Sequence, residues 1–216
     1  MFAYPAKAEF NRVLPKIKIY SNAKPSQKVK AMFISQVEEI VWKYKLAEST
    51  INLAPRDGFA EIQVFEIALK EPDLGPEVLS VIDKAIPYPI FFRLRYGDRI
   101  KRMAAYKRPA ADDSGNWVTE SYFETPWVNA TDPVLPLPVA LDIKALYEQM
   151  LFAFIDLPPR PGETLQALVE RVGLIRKHIR ELQALEAKMH KERQFKRKVE
   201  LNAQVRAIQT RLQGLQ

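Results

Sequence analysis

Few side chains in this chain could do chemistry. There are two histidines, His178 and His190, twelve residues apart and beside neither serine nor cysteine. That spacing suits neither a metal site nor an activated nucleophile. Cysteine is absent, which excludes thiolate ligands, disulfides and a thiol nucleophile. What is left is carboxylate and lysine chemistry of the kind a metal-dependent nuclease uses, with acids on neighbouring strands around Mg²⁺ and a lysine close by. Glu61, Glu66, Lys70 and Asp83 lie in a suitable region. The acid–x–Lys element is missing, because Gln63 follows Glu61 at that spacing and Asp142-Ile143-Lys144 opens a helix. Glu61 and Glu66 are also an odd number of positions apart, so on a strand they face opposite sides. Scattered glycines form no G-x-x-x-x-G-K, G-x-G-x-x-G or G-x-S-x-G motif. No catalytic residue, metal ligand or cofactor is therefore assigned, and a divergent nuclease stands only as the enzymatic alternative.

Charge is the stronger signal. Residues 93–108 hold Arg93, Arg95, Arg99, Lys101, Arg102, Lys107 and Arg108 against Asp98 alone. Residues 171–216 hold twelve cations against four glutamates, within a formal net charge of +7 for the whole chain. Charge segregated in this way favours a polyanionic partner. Arg93, Arg95, Arg99, Lys101, Lys107 and Arg108 are the expected contacts to DNA or RNA phosphate. The competing reading is a scaffold whose basic hairpin meets an acidic protein surface.

The elements that must carry these residues follow from periodicity. Residues 13–20 alternate Ile and Lys after a proline and read as an edge strand. Ser26 reads as the N-cap of a helix whose apolar stripe runs Val29, Met32, Phe33, Val37, Ile40, Val41 and Tyr44. "STINL" and "FAEIQVFEIAL" flank "APRDG" as strand–turn–strand, the second apolar on both faces like a central strand. Pro76 suits the first turn of a short helix. Pro89 begins a strand, and Gly97-Asp98 marks a turn. A three-residue loop would pair Tyr96 with Ile100 and Leu94 with Arg102. Arg93, Arg95 and Lys101 would then share one basic outer face, opposite the apolar row Ile90, Phe92, Leu94 and Tyr96, with Tyr106 in that row. One more strand follows the loop 109–116, and Asp142 caps a helix.

"DLPPRPGE" reads as a stiff linker. The expected division is an α+β domain over 1–157, a linker over 158–163 and a helical tail over 164–216. In the tail Leu165, Leu168, Val172, Ile175, Ile179 and Leu182 keep a heptad rhythm, and Leu201, Val205, Ile208, Leu212 and Leu215 keep another. The two frames differ by two positions, so a break falls between about 187 and 199, and the tail reads as two helices folded into a hairpin. Leu168, Val172, Ile175, Ile179, Leu182, Val205, Ile208 and Leu212 are the expected partner-docking or homodimer seam.

Apolar residues make up 47% and charged residues 27% of the chain, which fits a soluble globular protein. No run approaches the roughly 20 apolar residues of a membrane span. The N-terminus has Glu9 and two prolines where a signal peptide needs continuous apolar sequence. A cytoplasmic protein without membrane contact is expected.

With these segments in hand, the chain resembles a bacterial family known as domain of unknown function 4391. The resemblance rests on "LPKIKIY", "QVEEIVWKYKL", "EIQVFEI", "DKAIPYPIFF", "AAYKRP", "LPLPVALDIKALYEQML" and "QFKRKVELN" taken together. It transfers no active site. It implies a setting beside helicases and DNA methyltransferases in restriction-like, antiviral defence loci, and so a partner of that kind. The family pattern carries an acid near position 93, where this chain has Arg93. The combined expectation is an α+β fold with a mostly antiparallel sheet, about three helices and a coiled-coil-like helical hairpin. Its expected role is that of a non-catalytic accessory or adaptor in a DNA-processing assembly.

Overall fold

A computed structural model describes residues 2–110 and 116–216. Most of the loop expected over 109–116 lies outside the described residues. The chain divides into two compact units, Met1–Ile155 and Asp156–Gln216.

The first unit is α+β. In chain order it contains β1 (Phe2–Ala3), β2 (Glu9–Val13), α1 (Lys16–Ala23), α2 (Gln27–Gln36), β3 (Val37–Ala47), α3 (Glu48–Ile51) and β4 (Glu61–Leu69). Next come α4 (Pro76–Ala85), β5 (Ile90–Tyr96), β6 (Arg99–Pro109), β7 (Trp117–Glu124), β8 (Val128–Asn129), β9 (Leu135–Pro136) and α5 (Ile143–Phe152). The main sheet runs β2-β3-β4-β5-β6-β7, with β8 also on β6, and β1 pairs with β9 separately. Every pairing in the main sheet is antiparallel except β4 with β5. Parallel strands need a crossover connection, and α4 supplies it.

Each face of this sheet has its own core. Phe65, Ile67, Phe92 and Leu94 on one face pack with Phe33 of α2 and with Val78, Leu79 and Ile82 of α4. On the other face α5 brings Tyr147 to 6.2 Å from Phe91 and 5.2 Å from Phe59, ring centre to ring centre. Coverage on both sides explains why β4 is buried along nearly its whole length.

Three local expectations change. Lys16–Ala23 is a helix rather than an edge strand, with Ile19 and Ala23, one turn apart, as its buried residues. The expected long helix stops at Gln36, and β3 begins at the next residue. Shifts of register between Val37 and Glu39 and between Trp42 and Tyr44 break the strand's strict alternation, which makes it imitate a helical stripe. Residues 48–51 form a helical turn rather than a strand, held by Thr50, whose hydroxyl accepts from the Ala47 amide at 2.9 Å. Ser26 and Asp142 do cap their helices, accepting from the amides of Val29 and Ala145.

The second unit is a helical hairpin, α6 (Leu165–Lys191) and α7 (Phe195–Leu215), with its break at residues 192–194. Residues 158–163 are tied into it. Buried Arg171 donates to both carboxylate oxygens of Glu163 at 2.7 Å, to Pro158 O at 2.9 Å and to Leu215 O at 3.0 Å. Arg160 adds a bond from Nη2 to Gly214 O. No described helix is long and apolar enough to cross a membrane.

Candidate functional site

The β5–β6 turn has two residues, not three. Tyr96 pairs with Arg99, Arg95 with Ile100, Leu94 with Lys101 and Arg93 with Arg102. Gly97 has a φ of 60°, the left-handed value a type II′ turn demands at its first central position. This register separates the basic residues. Arg93, Arg95 and Arg102 lie on the α5 side of the sheet, while Arg99 and Lys101 lie on the α4 side. Cations thus mix into the apolar row, and neighbouring groups on β7 and in the loop after it absorb them. Lys101 pairs with Glu124 at 2.7 Å, and Arg99 sits 5.8 Å from the centre of the Trp127 ring.

Most of the hairpin's charge is answered internally. Glu66 lies 3.2 Å from Arg93 Nε and 3.5 Å from Arg95 Nε. Arg108 pairs with Glu120 at 3.1 Å. Lys107 is not on the surface at all, being 1% exposed. Its ammonium donates to Asp83 O at 2.7 Å and Ile86 O at 2.5 Å and stands 3.5 Å from the Asp83 carboxylate. It therefore has no access to an external phosphate. The Tyr122 hydroxyl donates to the other Asp83 oxygen. Burial pushes the Asp83 carboxyl up to about 6, against the pull of Lys107 and Tyr122. Burial likewise holds the Lys107 ammonium below its ordinary value, with Asp83 opposing. This buried cluster escaped sequence reasoning because Lys107 sits in a run of exposed-looking cations. The cluster joins α4, β6 and β7, and no local motif announces that Asp83, Lys107 and Tyr122 meet.

The acids considered for metal chemistry are dispersed. Glu61 is held by Lys45 at 2.7 Å and by Gln63 at 2.5 Å. Glu66 lies on the opposite face with the arginines, and Asp83 belongs to the buried side of α4. Lys70 donates to Ile34 O at the end of α2. Among the described residues no three His, Asp or Glu side chains gather as a metal site.

On the α5 side, the register leaves Arg93 directly opposite Arg102. Beside them is a partly enclosed cavity of about 110 Å³, whose lining also includes Tyr4, Val64, Phe91 and Phe154. The Tyr4 ring lies 4.7 Å from that of Tyr44. Burial raises the Tyr4 hydroxyl well above its ordinary value despite the nearby arginines. Burial, then Arg93, pulls Arg102 below its ordinary value.

In the helical hairpin, Leu168, Val172, Val205 and Ile208 are buried, and Ile175, Leu182 and Leu212 are half-buried. Ile179 is 42% exposed and lies outside the packed seam. At the turn, Lys188, Lys191, Arg193, Lys196, Arg197 and Lys198 are all exposed. The one acid among them is Glu192, whose carboxylate accepts from the amides of Arg193 and Gln194. Those bonds hold Glu192 below the usual carboxylate range. Arg197 approaches it only to 3.9 Å. Lys188, Lys191 and Arg197 border an open concavity of about 410 Å³. Phe195, in the middle of these cations, is 82% exposed.

A mixed α+β unit followed by a basic helical hairpin is the class of protein this geometry defines. The chain belongs to the family described as Domain of unknown function (DUF4391), whose sequence pattern matches residues 2–212. No curated protein and no solved structure matches it.

Proposed function

We propose that this protein is a non-catalytic accessory of a DNA-processing assembly that holds nucleic-acid phosphate with the basic turn of its helical hairpin. One observation carries the reading: the turn exposes six cations against the single, locally bonded Glu192. In contrast, five of the seven cations of the β5–β6 hairpin already have carboxylate partners. Neutralised arginines attract a polyanion weakly, whereas uncompensated ones release counterions when they meet it. The exposed Phe195 adds a ring on which an unpaired base can stack. Contact through a helical turn and phosphates predicts little base preference. The exposed apolar side chains Leu174, Ile179 and Val199 offer contacts to a protein partner of the hairpin. The family resemblance supports a helicase or a DNA methyltransferase as that partner, in a restriction-like defence setting.

The test is the salt dependence of binding of the full chain to a short duplex of random sequence. Each phosphate neutralised steepens the fall of log K with log salt by about 0.9. Changing Lys196, Arg197 and Lys198 together to Gln is expected to flatten that slope by roughly two to three units. Changing Arg93, Arg95 and Lys101 to Gln is expected to alter it by less than about one. The reverse ranking would return the site to the sheet hairpin. No measurable binding at low salt would overturn the phosphate reading and leave an acidic protein surface as the explanation of the charge.

A further inference from the structure

We propose that the cavity beside Arg93 and Arg102 binds a small organic monocarboxylate, its carboxylate between the two guanidinium groups and a short apolar stem against Val64, Phe91 and Phe154. This site is independent of the basic turn at residues 188–198.

The first argument is register. Like charges directly opposite one another on paired strands destabilise a sheet, and the two-residue turn fixes Arg93 opposite Arg102. The second is incomplete pairing. Arg93 Nε is buried without a hydrogen-bond acceptor, the Glu66 oxygen at 3.2 Å lying out of line with the N–H. Arg102 has no ion-pair partner among the described residues, and Asp132 acts on it only at longer range. A bound oxyanion would answer Arg102 and offset the like-charge pair, since the planar guanidinium fork matches a carboxylate, while the enclosed Arg93 Nε stays against Glu66.

Charge and size then select the ligand. Glu66 bridges Arg93 and Arg95, of which Arg95 is the more exposed at 41%, and Asp132 reaches Arg102 only at longer range. Among the described residues Arg102 is the lining cation without an ion pair, and a monoanion answers it. A space of about 110 Å³ is well below the roughly 300–1,000 Å³ of sites for drug-sized ligands, so a nucleotide does not fit. The lining runs from buried Val64, Phe91 and Phe154 to half-exposed Val134. An inorganic phosphate has no surface to offer these side chains; a branched hydrocarbon stem does. Tyr4 keeps its proton and adds a hydroxyl donor on the same side.

Isothermal titration of the full chain at low ionic strength with isobutyrate tests this, with isobutyramide and inorganic phosphate as comparators. Saturable binding of isobutyrate is expected, weakened at least tenfold in Arg102→Met and changed less than about twofold in Arg95→Gln. Isobutyramide should not compete. Ligand-free Arg102→Met should melt at or above the parent, because it removes the like-charge pair and keeps an apolar stem; Arg102→Gln carries the affinity test if that variant folds poorly. The proposal is overturned if isobutyrate does not saturate the parent, or if both Arg102 variants bind as the parent does. Tighter binding of phosphate would overturn the monocarboxylate assignment, and an Arg102→Met variant of lowered melting temperature would show that the arginine pair is already compensated.

Discussion

Replacing Lys107 with methionine tests the buried cluster most directly. Methionine keeps the length of the stem and removes the ammonium. Two carbonyls, of Asp83 and Ile86, then lose their donor, and the Asp83 carboxylate loses its counter-charge. An unsatisfied buried acceptor costs about 1–3 kcal/mol, and breaking a buried ion pair from one side costs about 3–5 kcal/mol. These figures overlap rather than add, so a loss of about 3–5 kcal/mol is expected, a large part of the roughly 5–15 kcal/mol that holds a domain together. Urea unfolding followed by tryptophan fluorescence is the assay, because Trp42, Trp117 and Trp127 all precede Asp156 and report on the first unit alone. With a slope near 2 kcal/mol per molar, the midpoint should fall by roughly 2 M. The deficit should also depend on pH. The folded Asp83 carboxyl titrates at about 6, above its ordinary 3.8, so its contribution to stability is present below about 4 and is lost as pH rises through 6. Without the ammonium its folded value rises further, and the loss extends to higher pH. The deficit of the variant should therefore be larger at about pH 8 than at about pH 5. A deficit under about 1 kcal/mol, or one equal at both pH values, would refute the view that Lys107 compensates a buried charge.

The hairpin unit should show the opposite acid response. Two bonds from Arg171 and one from the Arg160 amide hold the Glu163 carboxyl down to about 2, so its contribution is present above 4.5 and is lost as pH falls from there towards 2. Circular dichroism of Glu163→Gln should show a melting temperature below the parent at neutral pH, with the gap closing in acid; a gap that persists at about pH 2 would sink the assignment. Leu168→Ala should cost about 2–5 kcal/mol, whereas Ile179→Ala should cost less than about 1, as thermal unfolding of the two variants would reveal. Equal losses would mean that Ile179 belongs to the packed seam after all.

Much of the architecture was legible where one signal dominates locally. The heptads of the tail differ in frame, and a shift of two positions forced a break that the structure puts at residues 192–194. Ser26, Pro76 and Asp142 announced their helices through cap chemistry that depends only on neighbours. Apolar residues on both faces marked β4 as central. Failures came where distant partners decide. The bulges of β3 are fixed by pairing with β4, and they disguised a strand as a helix. The hairpin register turned on whether Lys101 could be tolerated opposite Leu94, and Glu124 and Trp127 settle that from elsewhere in the sequence. Lys107 shared its composition with Arg108 and Lys101 yet ended in the interior, because alternation along β6 puts it on the α4 face, against Asp83. Residue type gave the charge, and topology decided which charges remained free.

The junction of α2 with β3 has a consequence for how the chain can change length. Helix gives way to strand between Gln36 and Val37 with no intervening loop. The site is clamped from three directions: Lys16 bonds Phe33 O and Val37 O, Lys70 bonds Ile34 O, and the Gln36 amide oxygen receives the Gly75 N–H. A residue inserted there would have no turn to absorb it. Because successive strand residues face opposite sides, it would exchange the two faces of β3, sending Ile40 towards α5 and Val41 towards α4. Residues 24–26, which join α1 to α2, carry no such constraint. The first unit thus contains a fixed ruler next to an elastic joint, and tolerance to insertion should change abruptly within about a dozen residues of chain.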